Sequence, residues 1–345
     1  MFKAKYIHLF HPYVTDQMRQ AAYDALGERI IGQGKKVDLF ERKLGTIFES
    51  KNVLTVNCAT SALELAYHLL NLKSGDEVIS PVFTCTAPNI PLIRRGVKVI
   101  FADVKNNLIL DWKDAKRRIT KKTKAIINVH LFDQFNEPEK LPIPIIGDAA
   151  QYLGKTQGEM FTIYSFQATK SITTVDGGAL VCTRKEDYRK AKLLRWYGID
   201  RESGKKNIDV DITDPGFKYH MNNITAAIGI AALKNYKKIK RKIALLQKQY
   251  FAGLENISGI TIVGGSPFLI HTNNRAGLMK RLDEKGIETG LVHKRNDIYT
   301  VFGGKRLNLP NMNRLESTYL LLPCHPRITL SQVDYICSEI RKIKT

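Results

Sequence analysis

Nowhere does the chain hold the run of about 20 consecutive apolar residues needed to cross a bilayer. The opening segment, MFKAKYIHLFHPYVTD, is broken by His and Pro and lacks the apolar block of a secretion signal. Cysteine is sparse and odd in number. Cys58, Cys85, Cys182, Cys324 and Cys337 are scattered, and none forms a C-x-x-C pair. Neither a disulfide framework nor a metal site is therefore expected, and a reducing cytoplasm fits best. Acidic residues are also scarce: 33 stand against 54 basic ones among 345, a net charge of +21. Such an excess suits attraction to an anion (nucleic acid, a membrane surface or a diphosphate substrate) or a lysine-rich solvated surface. In the densest stretch, 234–248, Tyr236, Ile239, Ile243 and Leu246 recur at helical spacing, so its lysines are expected on the outer face of an amphipathic helix. No zinc-finger, RNA-recognition or basic-zipper pattern accompanies the charge, and nucleic acid is not an expected partner.

What is present is an ordinary globular balance, 43% hydrophobic and 25% charged residues, at a length that suggests two domains. Strand-like segments at 52–56, 77–80, 97–102, 124–129, 143–146, 161–166 and 178–183 alternate with helical patterns at 60–70, 87–94 and 111–119. Strands separated by helices imply an α/β fold, a largely parallel sheet covered on both faces. Two long helical patterns fill 222–254. A smaller α/β unit follows, with strands at 260–263 and 287–292 and helices at 275–285 and 330–343. The expected division is a large domain over 1–235 and a small one over 236–345.

In sheets of this kind ligands bind beyond the carboxyl ends of the strands. Three such ends carry suggestive residues: Gly147-Asp148; Gln167-Ala168-Thr169-Lys170; and Asn57-Cys58-Ala59-Thr60-Ser61 at the mouth of a helix. Each has a plain structural explanation, since Thr60 suits a helix cap, Asp148 a turn and Lys170 a solvated surface. Together they meet the demands of one cofactor. A phosphate needs a helix N-terminus and a hydroxyl, a pyridine nitrogen needs a buried carboxylate, and an aldehyde needs an amine. That amine must be tuned, because holding a lysine of ordinary pKa neutral at pH 7 costs about 4.6 kcal/mol. Burial and a neighbouring cation lower the cost.

Residues 164–178, YSFQATKSITTVDGG, resemble the lysine motif of the DegT/DnrJ/EryC1/StrS sugar aminotransferases. Further matches follow the family's order: Gly32-Gln33-Gly34, the segments 57–63, 81–87 and 147–151, GFKYHMNNITAAIG at 216–229, VHKRND at 292–297 and LPCHP at 322–326. The resemblance spans nearly the whole chain. It implies a fold-type-I enzyme dependent on pyridoxal 5′-phosphate (PLP, with PMP as its amine form), usually a homodimer with active sites at the interface. By this resemblance Lys170 would carry PLP as a Schiff base and Asp148 would pair with the pyridinium nitrogen. Thr60, the Ala59 backbone and Ser165 would hold the phosphate, and Gln151 would lie beside the ring oxygen. His220 aligns where many members have an Asn that reaches the neighbouring subunit's phosphate. Cys85 falls where many place an aromatic that stacks on the ring, Gln167 replaces a frequent His, and Gly147 stands where a Glu is common. The segments 131–142 and 263–272 are shorter than usual.

The implied reaction is a ping-pong transamination from an amino acid donor, L-glutamate, to a nucleotide-linked 4-keto-6-deoxy-hexose or a 3-keto relative. Candidate acceptor contacts are His293, Arg295, Asn296 and His325, for which surface or interdomain hydrogen bonding is the alternative. Two other readings stand beside it. A sugar dehydratase of the same fold is one, although some of those carry a His where Lys170 stands. A non-catalytic nucleic-acid-binding regulator is the other, and no added helix-turn-helix supports it.

Overall fold

The computed structural model describes residues 6–201, 209 and 211–342. Two sheets organise it. The larger has seven strands: β1 (Val53–Val56), β2 (Glu77–Pro81), β3 (Lys98–Ala102), β4 (Thr123–Val129), β5 (Ile145–Ala149), β6 (Phe161–Ser165) and β7 (Gly178–Cys182). Their spatial order is β1-β7-β6-β5-β4-β2-β3. Pairing is parallel from β6 to β3, and β7 runs antiparallel to both of its neighbours. β1, β2 and β5 are buried at every position, as expected of strands covered on both faces. This is the expected mostly parallel α/β sheet, with one antiparallel member.

Around it lie α1 (Asp16–Leu26), α2 (Lys35–Phe48), α3 (Ala59–Leu69), α4 (Ile90–Arg94), α5 (Trp112–Arg117), α6 (Lys185–Leu194) and α7 (Asn223–Leu233). The basic stretch forms α8 (Tyr236–Leu254), which buries Ile239, Ile243, Leu246, Tyr250 and Leu254 and turns Lys237, Lys238, Arg241 and Lys248 outward. The smaller sheet orders β10 (Tyr319–Leu322), β9 (Phe268–Thr272) and β8 (Ile260–Gly264), all antiparallel, with α9 (Arg275–Glu284), α10 (Pro310–Leu315) and α11 (Leu330–Arg341). Among the described residues no helix is long and apolar enough to cross a membrane.

Three differences from the sequence reading have physical causes. The strand expected at 143–146 lies at Ile145–Ala149, because Pro144 has no N–H and the ladder to β4 opens with Ile126 N bonded to Pro144 O. Asp148 therefore sits inside the strand end rather than beyond it. The segment 287–292 is not a strand. Ile287 pairs with Ile7 and Gly290 with Leu321, so its backbone is divided between two partners and no ladder forms. Instead β9 and β10 build the small sheet, from short fully buried runs whose pattern carries no alternation. The last helix ends at Arg341; Ile343 lies outside the described residues.

Candidate active site

The parallel strands end together, and the pocket lies where they end. Ser165 on β6 is the register partner of Gly178 on β7, and Gly178 is the partner of Val56 on β1. That row brings the loop after β6 beside the start of α3. Contact is close because position 178 has no side chain: a Cβ there would lie 2.5 Å from the Ala59 nitrogen and 2.8 Å from its Cα. On β5, Asp148 pairs in register with Ile163, two residues before Ser165 on β6. A pocket of about 480 Å³ opens here, bordered by Ala59, Thr60, Asp148, Ser165 and Lys170. Cys85, Gln151, His293 and His325 border it too.

The N-cap of α3 is Cys58, which supplies no side-chain cap. The first amides of this 11-residue helix have no intrahelical acceptors, and they face the pocket beside Thr60 with the positive end of the helix dipole. Opposite lies Asp148, whose Oδ1 accepts the Ala150 N–H at 3.0 Å. Burial raises the Asp148 pKa above the ordinary carboxylate value, while the Ala150 N–H and the nearby Lys170 amine pull it back. For Lys170 the dominant influence is again burial, which lowers its amine below 10.5 against the attraction of Asp148 and Cys85.

The loop bearing Lys170 is tied down at both ends. Lys170 N donates to Gln167 O, Thr174 N to Phe166 O, and Phe166 N to Gly177 O. The Gln167 side chain is used within the loop, where its Oε1 accepts from Thr169 N and Oγ1. Across the pocket, Gln151 Oε1 accepts from Phe132 N at 3.3 Å, which leaves the Gln151 amide to donate to His293 Nε2 at 2.8 Å. His293 is therefore a neutral acceptor at Nε2. Burial, and then the Lys170 amine, push its pKa down to about 4. His325 is held neutral as well, donating from Nε2 to His8 O and accepting the Arg327 N–H at Nδ1. Burial brings it to about 4.

Three expected site residues stand apart from this pocket. Arg295 is fully buried and clamps Asp297 through both Nε and Nη2 while donating to Leu307 O and Asn313 Oδ1. Asn296 donates to Thr84 O and accepts from Asn89 Nδ2, and its N–H bonds Val82 O. Both residues hold the turn that leads to Cys85 and contact no ligand space. Their sequence pattern, polar residues within a motif, does not distinguish buried from exposed. His220 lies outside this pocket, pairs with Val56 and rests its ring 3.5 Å from that of Trp196. Phe10, His11, Asp133 and Tyr152 line the pocket although sequence reasoning passed over them. The one available signal was the His-rich run HLFHP.

Comparison with known proteins follows the same outline. The model of the DegT/DnrJ/EryC1/StrS aminotransferase family matches residues 12–341. The UDP-4-amino-4,6-dideoxy-N-acetyl-beta-L-altrosamine transaminase of Campylobacter jejuni is 30% identical over 373 aligned positions, with 97% of each chain covered. GDP-perosamine synthase of Vibrio cholerae is 28% identical, covering 97% of this chain and 98% of its own. Among solved structures, AtS13 from Actinomadura melliaura superposes with a TM-score of 0.92 at 26% identity, over 99% of this chain and 100% of that one.

Proposed function

The chain belongs to the DegT/DnrJ/EryC1/StrS family of PLP-dependent aminotransferases, and from that premise we propose that it moves an amino group from L-glutamate to a keto-sugar carried on a nucleotide. One observation carries the reading: Lys170, Asp148 and the uncapped start of α3 border a single pocket. PLP fits these groups on its own chemistry. The first amides of α3, with Thr60 and Ser165, suit a phosphate, Asp148 suits a protonated ring nitrogen, and the half-buried Lys170 suits an aldehyde.

When bound, PLP supplies a carbon that links to amines and a ring that accepts electrons from the substrate carbon. The chain's own residues supply binding and proton traffic. Lys170 Nζ would hold the cofactor's aldehyde carbon and would also hold and move the proton at the reacting carbon. Its lowered pKa populates the neutral, proton-accepting amine nearer to neutral pH. Asp148 would pair with the protonated ring nitrogen, and Gln151 would lie beside the ring oxygen. His293 and His325, both neutral, line the space an acceptor would enter; Gln151 engages His293 Nε2, and His325 has both ring nitrogens engaged, so His325 would shape that space rather than bond the acceptor.

Turnover is a ping-pong cycle at one site. Donor and acceptor would use the same pocket in turn, the donor departing as a keto acid before the acceptor enters. The relatives from Campylobacter jejuni and Vibrio cholerae are named for UDP- and GDP-linked sugars, which supports a nucleotide-sugar acceptor here, a 4-keto-6-deoxy-hexose or a 3-keto relative. The working unit is a homodimer. Exposed Tyr23, Leu26, Ile30 and Ile31 offer an apolar face for a second copy, and His220 is left to serve the neighbouring subunit's site. All five cysteines are free, in keeping with a cytoplasmic setting.

The test is a half-reaction. PLP-loaded protein mixed with L-glutamate and no acceptor should release about one 2-oxoglutarate per site, and a panel of keto-sugars should react only when linked to a nucleotide. No keto acid release, or equal turnover of free keto-sugars, contradicts the proposal.

A further inference from the structure

A buried acid behind the sheet has no part in the chemistry above. Asn128 on β4, Gly147 on β5 and Thr162 on β6 are register partners. They stand one residue before the row holding Asp148, so they face the opposite side of the sheet. Gly147 leaves that row open, and Glu159 fills the gap from the connection between β5 and β6. A Cβ at position 147 would lie 2.3 Å from Glu159 Oε2 and 2.4 Å from Glu159 Cδ.

The carboxylate is only 1% exposed, which is costly unless donors surround it. They do. Glu159 Oε1 accepts from Asn128 Nδ2 at 2.9 Å and pairs with His130 Nε2 at 2.7 Å, and Oε2 accepts from Thr162 Oγ1 at 3.1 Å. Because His130 Nδ1 accepts the Asn136 N–H at 3.1 Å, the ring proton sits on Nε2 and points at Glu159. Asn128 also brackets Asn136, donating to its carbonyl and accepting from its amide. The turn over 130–136 is thus fastened at both ends by one buried polar cluster.

That turn reaches the pocket. Phe132 and Asp133 sit at φ 55° and 58°, a region that residues with side chains occupy when their surroundings hold them there. Phe132 N donates to Gln151 Oε1, Asp133 N to Gln151 O, and Gln151 in turn bonds His293. A connected path of bonds and backbone therefore runs from Glu159 to the pocket wall.

We propose that Glu159 is a positioning residue for the cofactor pocket. Seated in the space left at Gly147, it acts through His130 to hold the 130–136 turn and, through that turn, the Gln151 side chain. The inference rests on the PLP reading of this pocket. Its test uses the full-length protein and PLP itself. Glu159→Ala removes the carboxylate. The double variant Gly147→Asp with Glu159→Ala returns one to the same space, a single C–C bond of about 1.5 Å from the new Cβ. The folded Ala variant should bind PLP about ten-fold more weakly, with its lysine-bound absorbance band displaced, and the double variant should recover most of both. A Glu159→Ala protein that melts earlier but matches the wild type in PLP affinity and spectrum overturns the proposal. So does a folded double variant no better than Glu159→Ala. Should the Ala variant fail to fold, Glu159→Asp, shorter by one methylene, must show the same two changes, and a folded Asp variant identical to wild type is equally contradictory. Wild-type protein with no lysine-bound band at all would instead contradict the PLP reading, which keeps the two failures apart.

Discussion

Gly178 lies against Ala59 so closely that a methyl group at 178 would stand 2.5 Å from the Ala59 nitrogen. All three nearest atoms are backbone, so nothing can swing aside, and the start of α3 must move instead. Gly178→Ala should weaken PLP by at least about ten-fold, or about 1.4 kcal/mol, while affinity for pyridoxal, which lacks the phosphate, falls much less. Fluorescence titration of both ligands checks this. Equal losses would separate Gly178 from phosphate binding.

Asp148→Asn keeps the shape of the side chain and its bond to the Ala150 N–H but removes the charge. The expected loss is in kcat, on the order of a hundred-fold or about 2.7 kcal/mol, with a smaller loss of PLP affinity. Single-turnover kinetics with glutamate checks it.

Lys170 makes the protein without cofactor less stable. Its pKa is lowered from 10.5 chiefly by burial, so the folded state binds the proton less well than the unfolded chain does. Stability is therefore lost as pH falls from 10.5 toward the folded value, and the loss is complete below it. Lys170→Met protein, free of PLP, should melt higher than the wild type at pH 7, and the gap should close as pH approaches 10.5. Thermal melts across that range test the sign, and a gap that widens with pH would contradict it.

Arg295 is placed to hold the fold rather than the acceptor. Arg295→Met leaves Asp297 buried without its cation, at a cost of roughly 3–5 kcal/mol. The milder Arg295→Lys should lower the melting temperature yet leave the acceptor KM within about two-fold of wild type, because no ligand space borders the residue. A changed KM at unchanged stability would return Arg295 to the acceptor site.

The residues that gather at the strand ends were legible because the positions at and just beyond the ends of β1, β5 and β6 are fixed by the sheet topology, and turn chemistry is local. The pocket's other wall was not. Phe10 and His11 come from the segment before α1, and Asp133 from a turn held by Gln151 and Ser266, contacts that only the folded chain creates. Arg295 and Asn296 read as ligands because charge and polarity signal exposure in a sequence, whereas here Asp297, Asn89 and backbone groups satisfy them in the interior. β9 and β10 escaped notice for a related reason: short apolar runs buried on both faces carry no period to read.

The attachment point of the cofactor decides the account. Borohydride reduction of the PLP-loaded protein, followed by proteolysis and mass spectrometry of the peptides, should place the phosphopyridoxyl group on Lys170 and on no other lysine, with the label absent from Lys170→Ala. A label elsewhere, or labelling that survives in the Ala variant, would contradict it.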